Sequence, residues 1–440
     1  MSKKFIILIT ILILIIILFL GFSYLTKNNN INNQNTENTN QNFFADIFNF
    51  GNKTNLNQSN PINNLIDFIT GNESVDENKK EIKLLSKIST LPIAGYGIYQ
   101  KEVYTEIPDV EPNQIQQATI QETPSTPNTE IISVLKYADK ENGNIYQTYI
   151  SNFEEKIYSN TLIPNPYETL FTKYNVIYRY LKNKNTIVTF LGDLPKETLG
   201  QDSNNNEIFG SFLQDGVKEI SISKDGEKIF YLSKTKNGVS GVIINNKNEK
   251  NVIFNSSFSE WNSYWPNNDF VVLNTRASGL VDGFAYILNI KNSEFNKILG
   301  DIKGLTTLIN KDLNTILYTD NNLSMKILNI NNNEVKNLRL RTHTEKCVWS
   351  NDNVTLYCAI PKEIQTGLIY PDAWYQGEVS YNDEIWKINT ETGARTKIID
   401  PNTLYENENI DAINLSLDKD EKTLFFMNKA DSYLWGLKLN

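Results

Sequence analysis

The sequence predicts an all-β fold: a seven-bladed β-propeller of four-stranded antiparallel blades, closed by an N-terminal strand and preceded by one transmembrane helix. Three observations predict it. A strand–turn–strand frame recurs through the C-terminal 360 residues or so at the spacing of a propeller blade, roughly 40–45 residues. The apolar residues in it alternate with period two, and no long stretch carries the helical period. One apolar run of helical length, Phe5 to Leu25, stands at the N-terminus.

That run is broken by Thr10 and softened by Gly21, Ser23 and Tyr24. At about 1.5 Å per residue it spans a hydrocarbon core of ~30 Å. Lys3 and Lys4 precede it, which places the N-terminus in the cytoplasm and the body outside; Lys27 is a weak opposing charge. A cleaved signal peptide is the competing reading. The run is longer than a signal h-region, and Phe22-Ser23-Tyr24-Leu25-Thr26 is a poor cleavage site. No Cys follows to carry a lipid. Residues 1–27 are therefore read as a cytoplasmic tip and membrane anchor, with membrane contact through 5–25.

Residues 28–80 read as an Asn-rich disordered linker. Within 28–64, 16 of 37 residues are Asn, too polar a composition to offset chain entropy by burial. Two apolar islands, 43–48 and 65–69, interrupt it. They offer contact with a bilayer or a partner, or are stray hydrophobes.

The propeller is assigned to 81–440. Its clearest frame is Ile220-Ser221-Ile222-Ser223-Lys224-Asp225-Gly226, followed by Ile229-Phe230-Tyr231. Turn residues Asp225, Asn267, Asp312, Asp352 and Asp418 head successive copies at intervals of 42, 45, 40 and 66. Third strands alternate, as in 144–150, 284–288, 325–328, 385–388 and 434–437. Brief fourth strands follow at 156–158, 252–254, 297–299 and 396–399. Blades end near 160, 200, 255, 300, 340, 400 and 440, the second carrying the pattern weakly. The last lacks a fourth strand, and residues 81–88 have the right length to supply it, closing the ring and removing its open edges. Residues 103–130 read as a polar loop in blade one. Residues 360–383 are an insertion in blade six and explain the 66-residue interval.

The Ser-x-Asp-Gly-x-x-Ile frame resembles the repeats of TolB-like propellers and is similar to the propeller domain of dipeptidyl-peptidase-type proteins, over roughly 82–440. The first resemblance implies a protein-binding platform. The second implies a following α/β-hydrolase domain; none follows before Asn440, so that activity is not expected here. Propeller architecture by itself specifies function poorly.

Composition excludes several classes. The formal net charge is −9, which argues against a nucleic-acid partner. One His and two Cys are too few for a four-ligand zinc site. His343, the only base of its kind for a serine or cysteine hydrolase, lies in polar Arg341-Thr342-His343-Thr344-Glu345 and reads as a surface-loop residue. Cys347 and Cys358 fall opposite one another on the blade-six hairpin, and an exported location permits a disulfide; two buried thiols are the alternative. Asp225, Asp312 and Asp352 are explained by turns, and no metal or other cofactor is expected.

Candidate ligand-binding residues are aromatic. Tyr370, Asp372, Trp374, Tyr375 and Tyr381 lie in the blade-six insertion, either a binding patch or a structural cover. Trp261, Tyr264 and Trp265 enter blade four, either as a stacking platform or as filling between blades. No catalytic residue is assigned. The expected role is a non-catalytic binding or scaffold module for an envelope protein, peptide or glycan. The alternatives are a propeller hydrolase with carboxylates and a metal at the central channel, and a structural envelope subunit docking through 43–48 and 65–69. The hydrolase requires acidic or amide side chains from several blades to converge on the axis.

Overall fold

The computed structural model describes residues 84–104, 129–183, 186–196, 207–406 and 408–439. All of them belong to one compact unit, 76–440. The membrane span expected at 5–25, the linker and both apolar islands lie outside the described residues. Among the described residues no helix is long and apolar enough to cross a membrane.

Seven four-stranded antiparallel sheets make seven blades. Strand β1 (Leu85–Lys87) comes first. Blade one is β2 (Ile93–Tyr104), β3 (Thr129–Asp139), β4 (Ile145–Tyr149) and β5 (Glu155–Ser159). Blade two is β6 (Glu168–Phe171), β7 (Asn175–Asn183), β8 (Thr186–Asp193) and β9 (Phe209–Phe212). Blade three is β10 (Val217–Ile222), β11 (Ile229–Thr235), β12 (Gly238–Ile244) and β13 (Lys250–Ser256). Blade four is β14 (Trp261–Tyr264), β15 (Phe270–Thr275), β16 (Asp282–Asn289) and β17 (Phe295–Lys303). Blade five is β18 (Thr306–Ile309), β19 (Thr315–Thr319), β20 (Ser324–Asn329) and β21 (Glu334–Arg341). Blade six is β22 (Cys347–Trp349), β23 (Thr355–Pro361), β24 (Asp383–Asn389) and β25 (Arg395–Ile399). Blade seven is β26 (Ala412–Leu417), β27 (Thr423–Asn428) and β28 (Leu434–Lys438), completed by β1.

The ring closes through β1 and β28, with Leu85 opposite Leu437 and Lys87 opposite Trp435. First strands of adjoining blades touch, as β2 touches β6 and β10 touches β14, so these strands are innermost. The alternation has a direct meaning. Phe230 packs in the cluster between blades three and four, and its neighbour Tyr231 in the cluster between blades two and three. Each blade thus buries both faces, and one apolar cluster fills each of the seven interfaces. The repeated turns also link blades on one face. Gly226 takes φ +71°, which favours glycine, and its carbonyl accepts from Lys173 N–H of blade two at 2.8 Å. Asn267 donates to the Lys311 carbonyl, and Asn353 to Asp312.

Three expectations are corrected. Blade two does not end near 200: its fourth strand is β9, beyond a stretch outside the described residues, and carries exposed Phe209 and Phe212. The blade-one loop is shorter than 103–130, because β2 runs through Tyr104 and β3 starts at Thr129. His343 is not a surface residue; it is fully buried, because the blade-six insertion covers it.

Candidate functional site

The innermost strands all begin on one face, and the blade-six insertion, which joins β23 to β24, lies on that same face. The insertion contains one helical turn, α1 (Asp372–Tyr375). Its side chains form their own apolar cluster with Leu323: Tyr370, Ala373, Trp374, Val379 and Tyr381, all buried.

An ionic cluster anchors it. Lys346 lies 2.7 Å from Asp383 and 2.5 Å from Asp411, and all three side chains are fully buried. Asp411 also accepts from Trp374 Nε1 at 3.0 Å, from Ser380 Oγ at 3.2 Å and from Tyr381 N–H at 3.1 Å. Burial pushes the Asp383 carboxyl up to about 6, against the attraction of Lys346. His343 stacks on Trp374 at 4.3 Å between centroids, and its Nε2 lies 3.0 Å from the Tyr381 hydroxyl. Lys429 covers the Trp374 ring at 4.1 Å. Burial, then the Lys346 and Lys429 charges, hold the His343 imidazole well below its ordinary value, so it stays neutral. Asp372 ties the far end of the insertion to blade four by accepting from Gly279 N–H at 2.7 Å.

Beside this anchor lies a cavity of about 580 Å³ in the channel around the axis. Five blades contribute to its wall. Glu219 comes from β10, Asn262, Ser263 and Tyr264 from β14, Thr306 and Thr307 from β18, Cys347 from β22 and Asn414 from β26, while Glu345 and Tyr375 close it. The Tyr375 hydroxyl donates to Glu345 Oε1. Tyr264 donates to Thr307 Oγ1 at 3.4 Å, and its hydroxyl oxygen accepts from Ile309 N–H at 2.8 Å. Thr307 donates to Asn274 at 2.9 Å. Burial pushes the Glu219 carboxyl up to about 7, with the Ser263 N–H opposing and Glu168 adding. Glu345 stands in the cavity wall; desolvation raises its carboxyl, and the Tyr375 hydroxyl opposes the rise.

Of the eight aromatic and acidic residues singled out in the sequence, the structure brings Tyr264 and Tyr375 to the cavity wall. Tyr375 is 38 % exposed. Tyr370, Trp374 and Tyr381 are buried within the insertion, and Asp372 is an anchor. Trp261 and Trp265 are buried between blades three and four, with Trp261 edge-on to Phe254 at 5.9 Å. Cys347 and Cys358 are register partners and form a disulfide. Asp225 and Asp352 accept from the N–H groups of their own turns. Among the described residues, no group of three or more His, Cys, Asp or Glu is placed to hold a metal ion. Glu219, Glu345 and the amides escape a reading of the sequence because a polar residue facing an internal channel looks the same as one facing bulk water.

The fold defines the class: a closed seven-bladed β-propeller. Solved structures similar to it are propellers of several kinds. TolB from Acinetobacter baumannii is 12% identical over 58% of this chain and 59% of its own, with a TM-score of 0.37. The tricorn protease is 10% identical, covering 67% of this chain and 27% of its own, at 0.34. An oligogalacturonate lyase from Vibrio parahaemolyticus is 11% identical over 70% and 86%, at 0.46. The chain thus spans about three fifths of that TolB and about a quarter of the tricorn protease, and at these identities the likeness is one of fold. No protein-family model matches the sequence, and no curated protein does.

Proposed function

We propose that the protein is a binding module held at the outer face of a membrane by residues 5–25, with its ligand taken at the face that carries the blade-six insertion. One observation carries this reading: the axial cavity, whose wall is built from five blades and the insertion and includes Glu219, Ser263, Thr307, Glu345 and Tyr375. Its volume falls in the range of ligand pockets, roughly 300–1,000 Å³. The buried anchor of Lys346, Asp383 and Asp411 fixes the insertion, so Tyr375 is presented by a rigid support. An acidic saccharide, the substrate class named for the lyase neighbour, would bring its carboxylates against Glu219 and Glu345 and is disfavoured. A peptide or an envelope protein fits better.

The test uses the full-length chain as bait for membrane proteins, with Tyr375→Ala and Ile369→Asp on the insertion face and Asp312→Asn on the opposite face. Loss of a captured partner in the first two and retention in the third supports the reading. Equal capture by all three refutes it. Deleting 28–75 separates docking through the apolar islands, which would be lost, from binding by the propeller, which would persist.

One observation favours a second reading, hydrolysis in the same cavity. A carboxyl raised to about 7 is suited to proton transfer near neutrality. Turnover of a peptide or glycan substrate that disappears in Glu219→Gln would establish it.

A further inference from the structure

We infer that the axial cavity is a cation pocket, taking the ammonium or guanidinium group of a basic side chain presented by a polypeptide partner. The inference rests on the binding reading above and names its ligand chemistry.

Among the described residues, the cavity wall carries two carboxyl groups, Glu219 and Glu345, and no Lys, Arg or His. They come from different blades and stand in a chamber, not on an open acidic surface. The cations nearby have carboxylate partners outside the wall, and Arg179 and Arg276 also act on Glu219. Lys346 is held by Asp383 and Asp411. Lys218 and Arg276 lie 2.5 and 3.7 Å from Glu260, and Arg179 lies 2.5 Å from Glu168. The wall also includes the neutral oxygens of Asn262, Asn274, Thr306 and Thr307, beside the apolar Ala277, Leu305, Leu308 and Leu415. Tyr375 adds an aromatic ring that is partly uncovered within the chamber, the kind of surface on which cations rest. A strongly hydrated ammonium or a planar guanidinium exchanges water for these oxygens and for the two carboxyl groups, which an anion would meet with like charge.

A loop that continues from the wall points to a polypeptide carrier. The loop that brings Thr275 and Ala277 to the wall continues to Leu280 and Val281, 65 % and 56 % exposed. Gly279 in that loop abuts Ile369 of the insertion, itself 47 % exposed. Exposed apolar residues in a loop that continues from a wall with two carboxyl groups suit a basic side chain flanked by apolar residues.

The experiment measures binding to the purified full-length chain by saturation-transfer NMR. The probes are N-acetyl-lysine amide, N-acetyl-arginine amide, the neutral N-acetyl-norleucine amide and the anionic N-acetyl-glutamate amide. The two basic amides are expected to bind at least about tenfold more tightly than the norleucine amide. Their affinity is expected to rise from pH 6 to pH 8. Glu219, faced by Glu168, Arg179, Arg276 and the Ser263 N–H, loses its proton in that range; Glu345, whose carboxyl desolvation also raises, is faced by Tyr375, Lys346 and Thr344. The double variant Glu219→Gln, Glu345→Gln is expected to lose the preference. If that variant unfolds early, Glu345→Gln alone serves, since Glu345 is an exposed residue. No preference for the basic amides, or a preference that persists in a folded variant, overturns the inference. Partner capture that still depends on Tyr375 while the preference is absent refutes the cation pocket and leaves the binding reading standing. Failure of both refutes both.

Discussion

Lys346 and Asp411 form a fully buried ion pair, 2.5 Å apart, that joins the start of blade six to the start of blade seven. The Lys346 ammonium also donates to the Ala412 carbonyl at 2.9 Å, and Asp383 of β24 accepts from Ala412 N–H at 2.8 Å. Through the Trp374 and Tyr381 bonds to Asp411, the blade interface and the insertion form one network. Its members depend on one another, because a buried charge without its partner is costly.

Lys346→Met should therefore destabilise the protein by about 3–5 kcal/mol. The variant strands two carboxylates with no compensating cation. Lys346→Met combined with Asp383→Asn and Asp411→Asn should recover a substantial part of the loss. Urea unfolding of the three proteins checks this; a triple variant no more stable than the single one would contradict it.

Trp374→Ala should cost about 3–5 kcal/mol. The indole is packed against His343, Lys429 and Tyr381, and donates to Asp411. Native-state proteolysis should locate the damage: cleavage within 362–382 should accelerate before the blades unfold. Uniform acceleration over all blades would count against an independently anchored insertion.

The His343 imidazole titrates well below 6.5 in the folded protein and near 6.5 in the unfolded chain. The unfolded chain therefore binds the extra proton first as pH falls. The stability this group contributes is present above about 6.5 and is lost on acidification. Asp383 has the opposite sign. Its carboxyl is raised to about 6, so its contribution is present below the ordinary Asp value and is lost as pH rises through about 6. In His343→Gln the first effect vanishes. Relative to wild type, the variant should gain stability as pH falls from 7 to 5, by up to about 1.4 kcal/mol per pH unit. Chemical unfolding of both proteins at pH 5, 6 and 7 reads this directly. A difference independent of pH would rule it out.

Replacing both Cys347 and Cys358 by Ala should lower stability by about 2–3 kcal/mol, since the bridge closes a short loop, with a sequence separation of 11. A reductant should have a similar effect on wild type and none on the variant. Thermal unfolding with and without reductant distinguishes the cases.

The repeat was legible because every blade must bury two faces, and that requirement writes itself as alternating side chains. Phe425 and Phe426 show it: adjacent in sequence, they enter the clusters on opposite sides of blade seven. Blade two was faint for a physical reason. Its outer strand, Phe209-Gly210-Ser211-Phe212, is exposed at every position and so carries no alternation. The burial of His343 is not legible in Arg341-Thr342-His343-Thr344-Glu345, which is locally polar, because it comes from Trp374, 31 positions further on. Local composition cannot report a cover supplied by a distant segment. Lys346 was passed over for the same reason. The cavity wall was hidden because Glu219 and Ser263 occupy polar positions that an exposed strand would equally tolerate.

The closure through β1 has a consequence for biosynthesis. Ser89 accepts from Leu434 N–H across 345 positions of sequence. The first strand of the ring leaves the ribosome early, and the strand it must zip against is among the last to appear. Until then blade seven has an uncovered border, and the half-made ring is open to capture by a neighbouring chain. Without the strand Leu434–Lys438 that border would stay permanently unsealed.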